Sequence, residues 1–218
     1  QTCALPICGE KGDEGFPFPN WQVSISGLEK LPFMDKLFQS LSARHGFTGK
    51  KQISLKDGEE INSSYRIGFT PILSLSMKFK KNINSNFSAN MTNIIDNQEA
   101  GMKKSSQMGL SFDVSYKHKG GITIPIPFME KKKLDNNIDF TMAVEYSASD
   151  TYAKQAGNEK FSKTDERSTL SIKPRIGYSF TQKVTGGVFF QYQVINDVQL
   201  GERKNMNYGF DVNIAIRG

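Results

Sequence analysis

The sequence predicts an all-β fold, an antiparallel up-and-down transmembrane β-sheet of about nine long strands forming part of the wall of a larger β-barrel. Three observations predict it. Apolar residues recur at every second position in run after run, which places them on one face of a pleated strand. The intervening positions are mostly polar. No apolar run approaches the roughly 20 residues of a membrane-spanning helix, whereas a barrel strand meets lipid only at alternate residues.

The clearest run is Tyr65 to Met91. Tyr65, Ile67, Phe69, Pro71, Leu73, Leu75, Met77 and Phe79 alternate with a largely polar set. Polar Lys81-Asn82 follows, and Ile83, Phe87, Ala89 and Met91 then alternate with Asn84, Asn86, Ser88 and Asn90. Two such runs around a tight polar break form a long hairpin. Upstream, Trp21, Val23 and Ile25 mark a first strand after a loop rich in Gly and Pro (12–19). Pro32, Phe33, Leu37 and Phe38 point to a short amphipathic helix or ordered turn at the barrel rim. A strand from Ser40 to Leu55 follows, with Gly46 and Gly49 marking a bend, and KDGEEIN (56–62) reads as an exposed loop.

Downstream, apolar rows run from Met108 to Tyr116, Ile138 to Tyr146, Leu170 to Phe180, Val188 to Val194 and Tyr208 to Ile216. Pro125 and Pro127 exclude a central strand between the first two of these rows, so Ile122–Phe128 reads as a folded rim segment. Longer polar connections are expected at Ile94–Ser105, Ala148–Asp165 and Asn196–Asn207, and tight turns at Lys81-Asn82 and Gln182-Lys183. Outer-membrane barrels have short periplasmic turns and longer outer loops, which places the tight turns and the C-terminus in the periplasm. Residues 65–79 span roughly 50 Å along the strand, more than the roughly 25 Å apolar band, so the wall should project beyond the bilayer. An odd strand count and two unpaired edges speak for part of a larger wall.

Composition narrows the function classes. The chain has 218 residues, 37% hydrophobic content and a formal charge of +6. Its basic residues are scattered apart from Lys103-Lys104 and Lys131-Lys132-Lys133, which read as solvated loops and not as a nucleic-acid interface. Residues 1–15 read as an unstructured or artefactual N-terminus, with Gln1–Ile7 matching the translation of a common sequencing-adapter end, and residues 16–218 as barrel wall. No signal peptide is legible in the first ten residues. Cys3 and Cys8, the only cysteines, have no His cluster to complete a metal site.

No catalytic, cofactor-binding or metal-binding residue is expected, and no cofactor. His45 and His118 lie far apart without carboxylates at ligand spacing. Gly109–Asp113 lacks the second Gly of a nucleophile elbow. Gly120-Gly121 and Gly186-Gly187 are not followed by the Lys-Ser/Thr of a phosphate loop. The aromatics alternate with polar residues as a lipid-facing row does, rather than as a base-stacking platform. Candidates for a water-filled interior are Arg66, Lys78, Asp113, Glu145, Lys173, Arg175 and Asp211. Candidates for lipid contact are Phe69, Leu75, Phe79, Phe112, Phe140, Ile172, Tyr178, Phe190 and Phe210. Mixed signs on the polar side suit a broad hydrated passage over a narrow ion-selective pore.

Several segments resemble one family in order and spacing. PNWQVSISGLEKLPFMDKLFQSLSARHGFTG, IGFTPILSLSMKFKKNINSNF, ITIPIPFMEKKKLDNNIDFTMAVEYS, LSIKPRIGYSFTQKVTGGVFFQYQ and the terminal YGFDVNIAIRG are similar to stretches near the end of the SprA (Sov) proteins. The resemblance covers about residues 16–218. It implies an outer-membrane translocon of the type IX secretion system, linked to gliding motility, built as one barrel of about 36 strands, the upper extreme known for such walls. It further implies that folded cargo proteins cross a wide lumen with a lateral opening, and that the partners are outer-membrane lipid, the rest of the barrel chain, a PorV-like subunit and a plug-like subunit. Two other readings stand beside it: a self-contained porin or adhesin-like barrel, and a soluble β-sandwich binding module.

Overall fold

The computed structural model describes residues 19–120, 122–124, 132–134, 136–181 and 183–215. The readings placed on residues 1–18, including Cys3 and Cys8, on Pro125 and Pro127, on Gln182 and on Ile216 lie outside the described residues. The strands are β1 (Trp21–Ser26), β2 (Phe38–Lys56), β3 (Glu59–Phe79), β4 (Ile83–Gln98), β5 (Gly101–His118), β6 (Ile122–Ile124), β7 (Lys132–Leu134), β8 (Ile138–Gln155), β9 (Ser162–Ser179), β10 (Val184–Asp197) and β11 (Gly201–Ile214). Nine of them form one antiparallel sheet in the order β1-β2-β3-β4-β5-β8-β9-β10-β11, and β6 and β7 form a separate two-stranded sheet. The all-β, up-and-down expectation holds, and β1 and β11 do not pair with each other.

The strands are longer than the hydrophobic pattern indicates. The expected polar loops at Ile94–Ser105 and Asn196–Asn207, and most of Ala148–Asp165, are strand. β4 pairs with β5 out to Gln98↔Gly101, β8 runs to Gln155 before β9 resumes at Ser162, and β10 pairs with β11 out to Asp197↔Gly201. Apolar residues in these tips are few and scattered, as at Ile94-Ile95, Met102 and Tyr152, so the apolar alternation is lost while the backbone ladder continues. KDGEEIN is likewise no loop. Asp57 (φ 55°) and Gly58 (φ 87°) form a two-residue turn and β3 begins at Glu59. Positive φ at both central positions is the hairpin geometry that an Asp-Gly pair favours.

The rim helix is a single turn, Met34–Leu37, preceded by a 3-10 turn at Leu28–Lys30. Pro32 precedes it, and Phe38 already opens β2. The expected bend near Gly46 is a ladder irregularity: β2–β3 pairing shifts between Arg44 and Phe47, and β3–β4 pairing between Phe69 and Leu73. Pro71, which has no N–H to donate, sits in that gap. The Ile72 carbonyl accepts from His45 Nδ1 at 2.6 Å. A Cβ on Gly46 would lie 3.1 Å from the Thr70 carbonyl oxygen, so glycine admits the bulging backbone. Trp21 stacks on Phe47 at 4.4 Å, and Phe47 meets Phe69 edge-on at 5.4 Å, filling the space beside the irregularity.

The nine strands make a single layer. A soluble domain covers the apolar face of a sheet with a second layer. Here interior-strand residues on that face stay open: Ile176 is 51% and Val188 64% exposed.

Candidate functional site: a polar concave face backed by an apolar belt

Directly paired residues of an antiparallel sheet point to the same side, so the register assigns faces. One ladder row crosses all nine strands through Ile25, Ala43, Leu75, Phe87, Phe112, Val144, Ile172, Tyr192 and Met206. The adjacent row, one residue along each strand in the middle of the sheet, runs through Ser24, Arg44, Ser74, Ser88, Ser111, Glu145, Ser171, Gln193 and Asn205. The first row is wholly apolar but for the tyrosine hydroxyl; the second is wholly polar. The sheet therefore has two chemically distinct faces, and this segregation is the candidate site.

The predicted interior residues all fall on the polar face. Lys78 and Arg175 belong to one row, Lys78↔Asn84↔Ser115↔Thr141↔Arg175. Asp113 and Lys173 share another through Ala143. Arg66 pairs with Lys50 and Ile94, Glu145 with Ser111 and Ser171, and Asp211 with Gly187. The predicted lipid-facing residues Phe69, Leu75, Phe79, Phe112, Phe140, Ile172, Tyr178, Phe190 and Phe210 all fall on the opposite face.

The polar face is concave. A cavity of about 530 Å³ is lined from five strands, with Asn90, Gln107, Ser147, Ser149, Arg167 and Gln193 among its walls. Another of about 410 Å³ lies near the hairpin tips, by Asp96, Lys103, Gln155 and Ser162. Several charges here pair across strands. Lys173 Nζ donates to Glu145 Oε2 at 2.8 Å. Arg175 reaches over β10 to Asp211, with Nη2 at 2.8 Å from Oδ2 and Nε at 3.3 Å from Oδ1. A Cβ on Gly187 would stand 2.6 Å from the guanidinium, so that glycine leaves the crossing open. Such exposed pairs contribute about 0–1 kcal/mol each; their larger effect is to prevent a one-sign field. Among the described residues Arg66, Lys78 and Asp113 form no ion pair.

Sequence periodicity missed Phe189. It faces the polar side in the row of Arg175 and Gly209, with its ring where a Cβ on Gly209 would lie, 2.8 Å from Cζ. The Phe189-Phe190 doublet, which breaks the alternation, is its signal. The histidines serve structure: His45 at the β3 irregularity, and His118 with its Nδ1 3.2 Å from the Tyr116 hydroxyl. Among the described residues no group of three or more His, Cys, Asp or Glu stands ready for a metal ion, and no helix is long and apolar enough to cross a membrane.

The apolar belt has a measurable height. It occupies residues 108–116 of β5, 138–148 of β8, 170–178 of β9, 184–194 of β10 and 206–214 of β11. That is about 9–11 residues per strand, the length of a tilted strand crossing a hydrocarbon core. At one end of the sheet the belt reaches the strand ends. At the other, the belt gives way to a polar row of Asn93, Ser106, Asp150 and Glu166, with Lys204 next after Met206, and the strands continue into tips that carry Ile95, Met102 and Tyr152 among lysines on the same side. The strands thus overrun the apolar belt at one end only, as hairpin tips rather than loose loops.

At one tip Asp197 Oδ1 accepts from the backbone N–H groups of Gln199 (2.9 Å) and Leu200 (3.0 Å). These bonds lower its pKa, with Arg203 and Arg167 adding to the effect. A carboxyl lowered on folding contributes order above the ordinary Asp range and loses it as pH falls through the depressed value. The amide-exchange protection of Gln199 and Leu200 is therefore expected to drop in acid, below pH about 4. Asp197→Ala should give low, pH-independent protection there.

No family model and no curated protein matches the chain.

Proposed function

We propose that the chain is a wall segment of an outer-membrane translocon that passes folded cargo proteins, as its resemblance to the SprA (Sov) segments of type IX secretion and gliding motility implies. One observation carries the membrane part of this reading: an apolar row unbroken over nine strands, backed one residue away by a polar row on a concave face. In hydrocarbon every backbone N–H and C=O must be satisfied internally, which strands achieve only when their neighbours are in place. The edges of β1 and β11 call for such neighbours, the rest of the same barrel. The apolar belt then contacts lipid, the polar face lines the lumen, and the C-terminal end of β11 lies in the periplasm. The Ser, Asn, Gln and Thr lining with paired charges offers a hydrated surface without sticky apolar patches, which suits passage of varied folded cargo. PorV-like and plug-like subunits complete the assembly. A sandwich module is less well supported because it needs a second sheet over the belt, and a self-contained porin because it needs β1 and β11 to meet.

Two measurements test this. With single cysteines in the natural protein in its membrane, Ser111→Cys is expected to react with a hydrophilic thiol reagent and Val144→Cys is not. Cells lacking the gene are expected to retain normally exported proteins in the periplasm. A chain that stays soluble and monomeric without detergent overturns the membrane reading. Loss of small-solute uptake with export intact points to the porin instead.

A further inference from the structure

We propose that Lys104 and Lys154, on the belt side of the hairpin tips, bind phosphate-bearing lipid headgroups. The inference rests on the belt being lipid-facing. Register places both lysines on that face: Lys104 pairs with Ile95 and Tyr152, and Lys154 with Met102. Lys104 lies past Met108, the last belt residue of β5, by on the order of 10 Å along the strand. A lysine stem there reaches the headgroup layer bordering the hydrocarbon core.

Charge pairing singles out these two cations. Lys163, nearby on the same face, is held by Asp150 at 2.9 Å and by Glu166, and the hydrogen bonds it donates to both raise its pKa. Lys204 is held by Glu202 at 2.7 Å. Asp150, Glu166 and Glu202 are thus already engaged by other lysines. Lys104 and Lys154 have no carboxylate partner among the described residues, and both stand over one ring, 4.5 and 5.2 Å from the Phe161 centroid. Two ammonium groups gathered at one aromatic ring, with Tyr152 opposite Lys104, make a compact cationic site with an aromatic floor beside an apolar wall. A lipid phosphate offers the complementary charge, and its acyl chains lie along the belt.

The test uses the natural full-length protein in a neutral detergent, with Tm read upon addition of diphosphoryl lipid A, the same lipid with its phosphates removed, or inorganic phosphate. The wild type is expected to gain Tm with the phosphorylated lipid alone. Lys104→Gln and Lys154→Gln should each at least halve that gain and the double variant should abolish it, while Lys163→Gln leaves it intact. Heat-modifiable gel mobility confirms that each variant is folded. An absent gain in the wild type, an equal gain with dephosphorylated lipid or inorganic phosphate, an undiminished gain in the double variant, or an equal loss in Lys163→Gln overturns the proposal. Failure of the wall reading shows separately, as a protein that remains monomeric and soluble when detergent is withdrawn before any lipid is added.

Discussion

Phe112→Arg is expected to destabilise the membrane-inserted sheet by about 2–4 kcal/mol, the cost of a cation near the bilayer midplane on a barrel's lipid face. Phe112 lies at the middle of the row that crosses all nine strands, between Phe87 and Val144, and is itself 37% exposed. The guanidinium there has no water and no carboxylate within the belt. Ser111→Arg, one residue away, points into the hydrated concave face beside Glu145 and should change stability by less than about 0.5 kcal/mol. Denaturant midpoints of the vesicle-inserted protein, read by gel mobility, measure both. Equal effects at the two positions would mean that the faces are not in different solvents. The two residues are adjacent on one strand at nearly the same depth and enter opposite sides of the sheet.

Gly101→Ala should cost about 1–3 kcal/mol, through backbone strain and overpacking together. Gly101 opens β5 at φ +145°, a conformation that side-chain-bearing residues rarely adopt. An added Cβ there would collide with the Lys154 carbonyl and stand 2.9 Å from the Gln155 Cα, backbone atoms of the neighbouring strand. Those atoms cannot move aside as a flexible side chain would. Gly109 on the same strand has ordinary φ and open space around it. Gly109→Ala is therefore expected to be neutral or to stabilise by up to about 1 kcal/mol, because alanine loses less freedom on folding. The same denaturant measurement separates the pair, and a cost at Gly109 equal to that at Gly101 would remove close backbone approach as the cause.

Both predictions depend on register, which the sequence carries unevenly. In the belt, alternation is regular on β5 and β8, and there strand identity and face are legible from residues alone, whereas the pairing of Phe112 with Val144 is not. The reason is that one side of each strand must be apolar and the other need not be. In the hairpin tips polar residues occur on both sides and the few apolar ones, such as Ile95 and Met102, are too sparse to mark a period. Residues such as Asn97, Ser105, Thr151 and Asn196 then read as loops, although backbone hydrogen bonds hold them in strand. The Asp57-Gly58 turn was legible by its dipeptide, yet the acidic residues around it resembled an exposed loop. The cross-strand partnerships of Arg175 with Asp211, and of Lys104 and Lys154 with Phe161, join residues far apart in the chain. No local spacing encodes them.

Legible from the residues alone are the nine strands of the main sheet, their two-residue alternation and the division of Arg66, Lys78, Asp113, Glu145, Lys173, Arg175 and Asp211 from the apolar row. Period two is a property of each strand alone, set by whichever solvent each face meets. Only the tertiary structure decided where the strands end, that the polar face is concave, which charges neutralise one another, and that two lysines are left together above the belt. Those features come from register between strands and from the hollow that five strands form together, and both are relations between segments that no single segment contains.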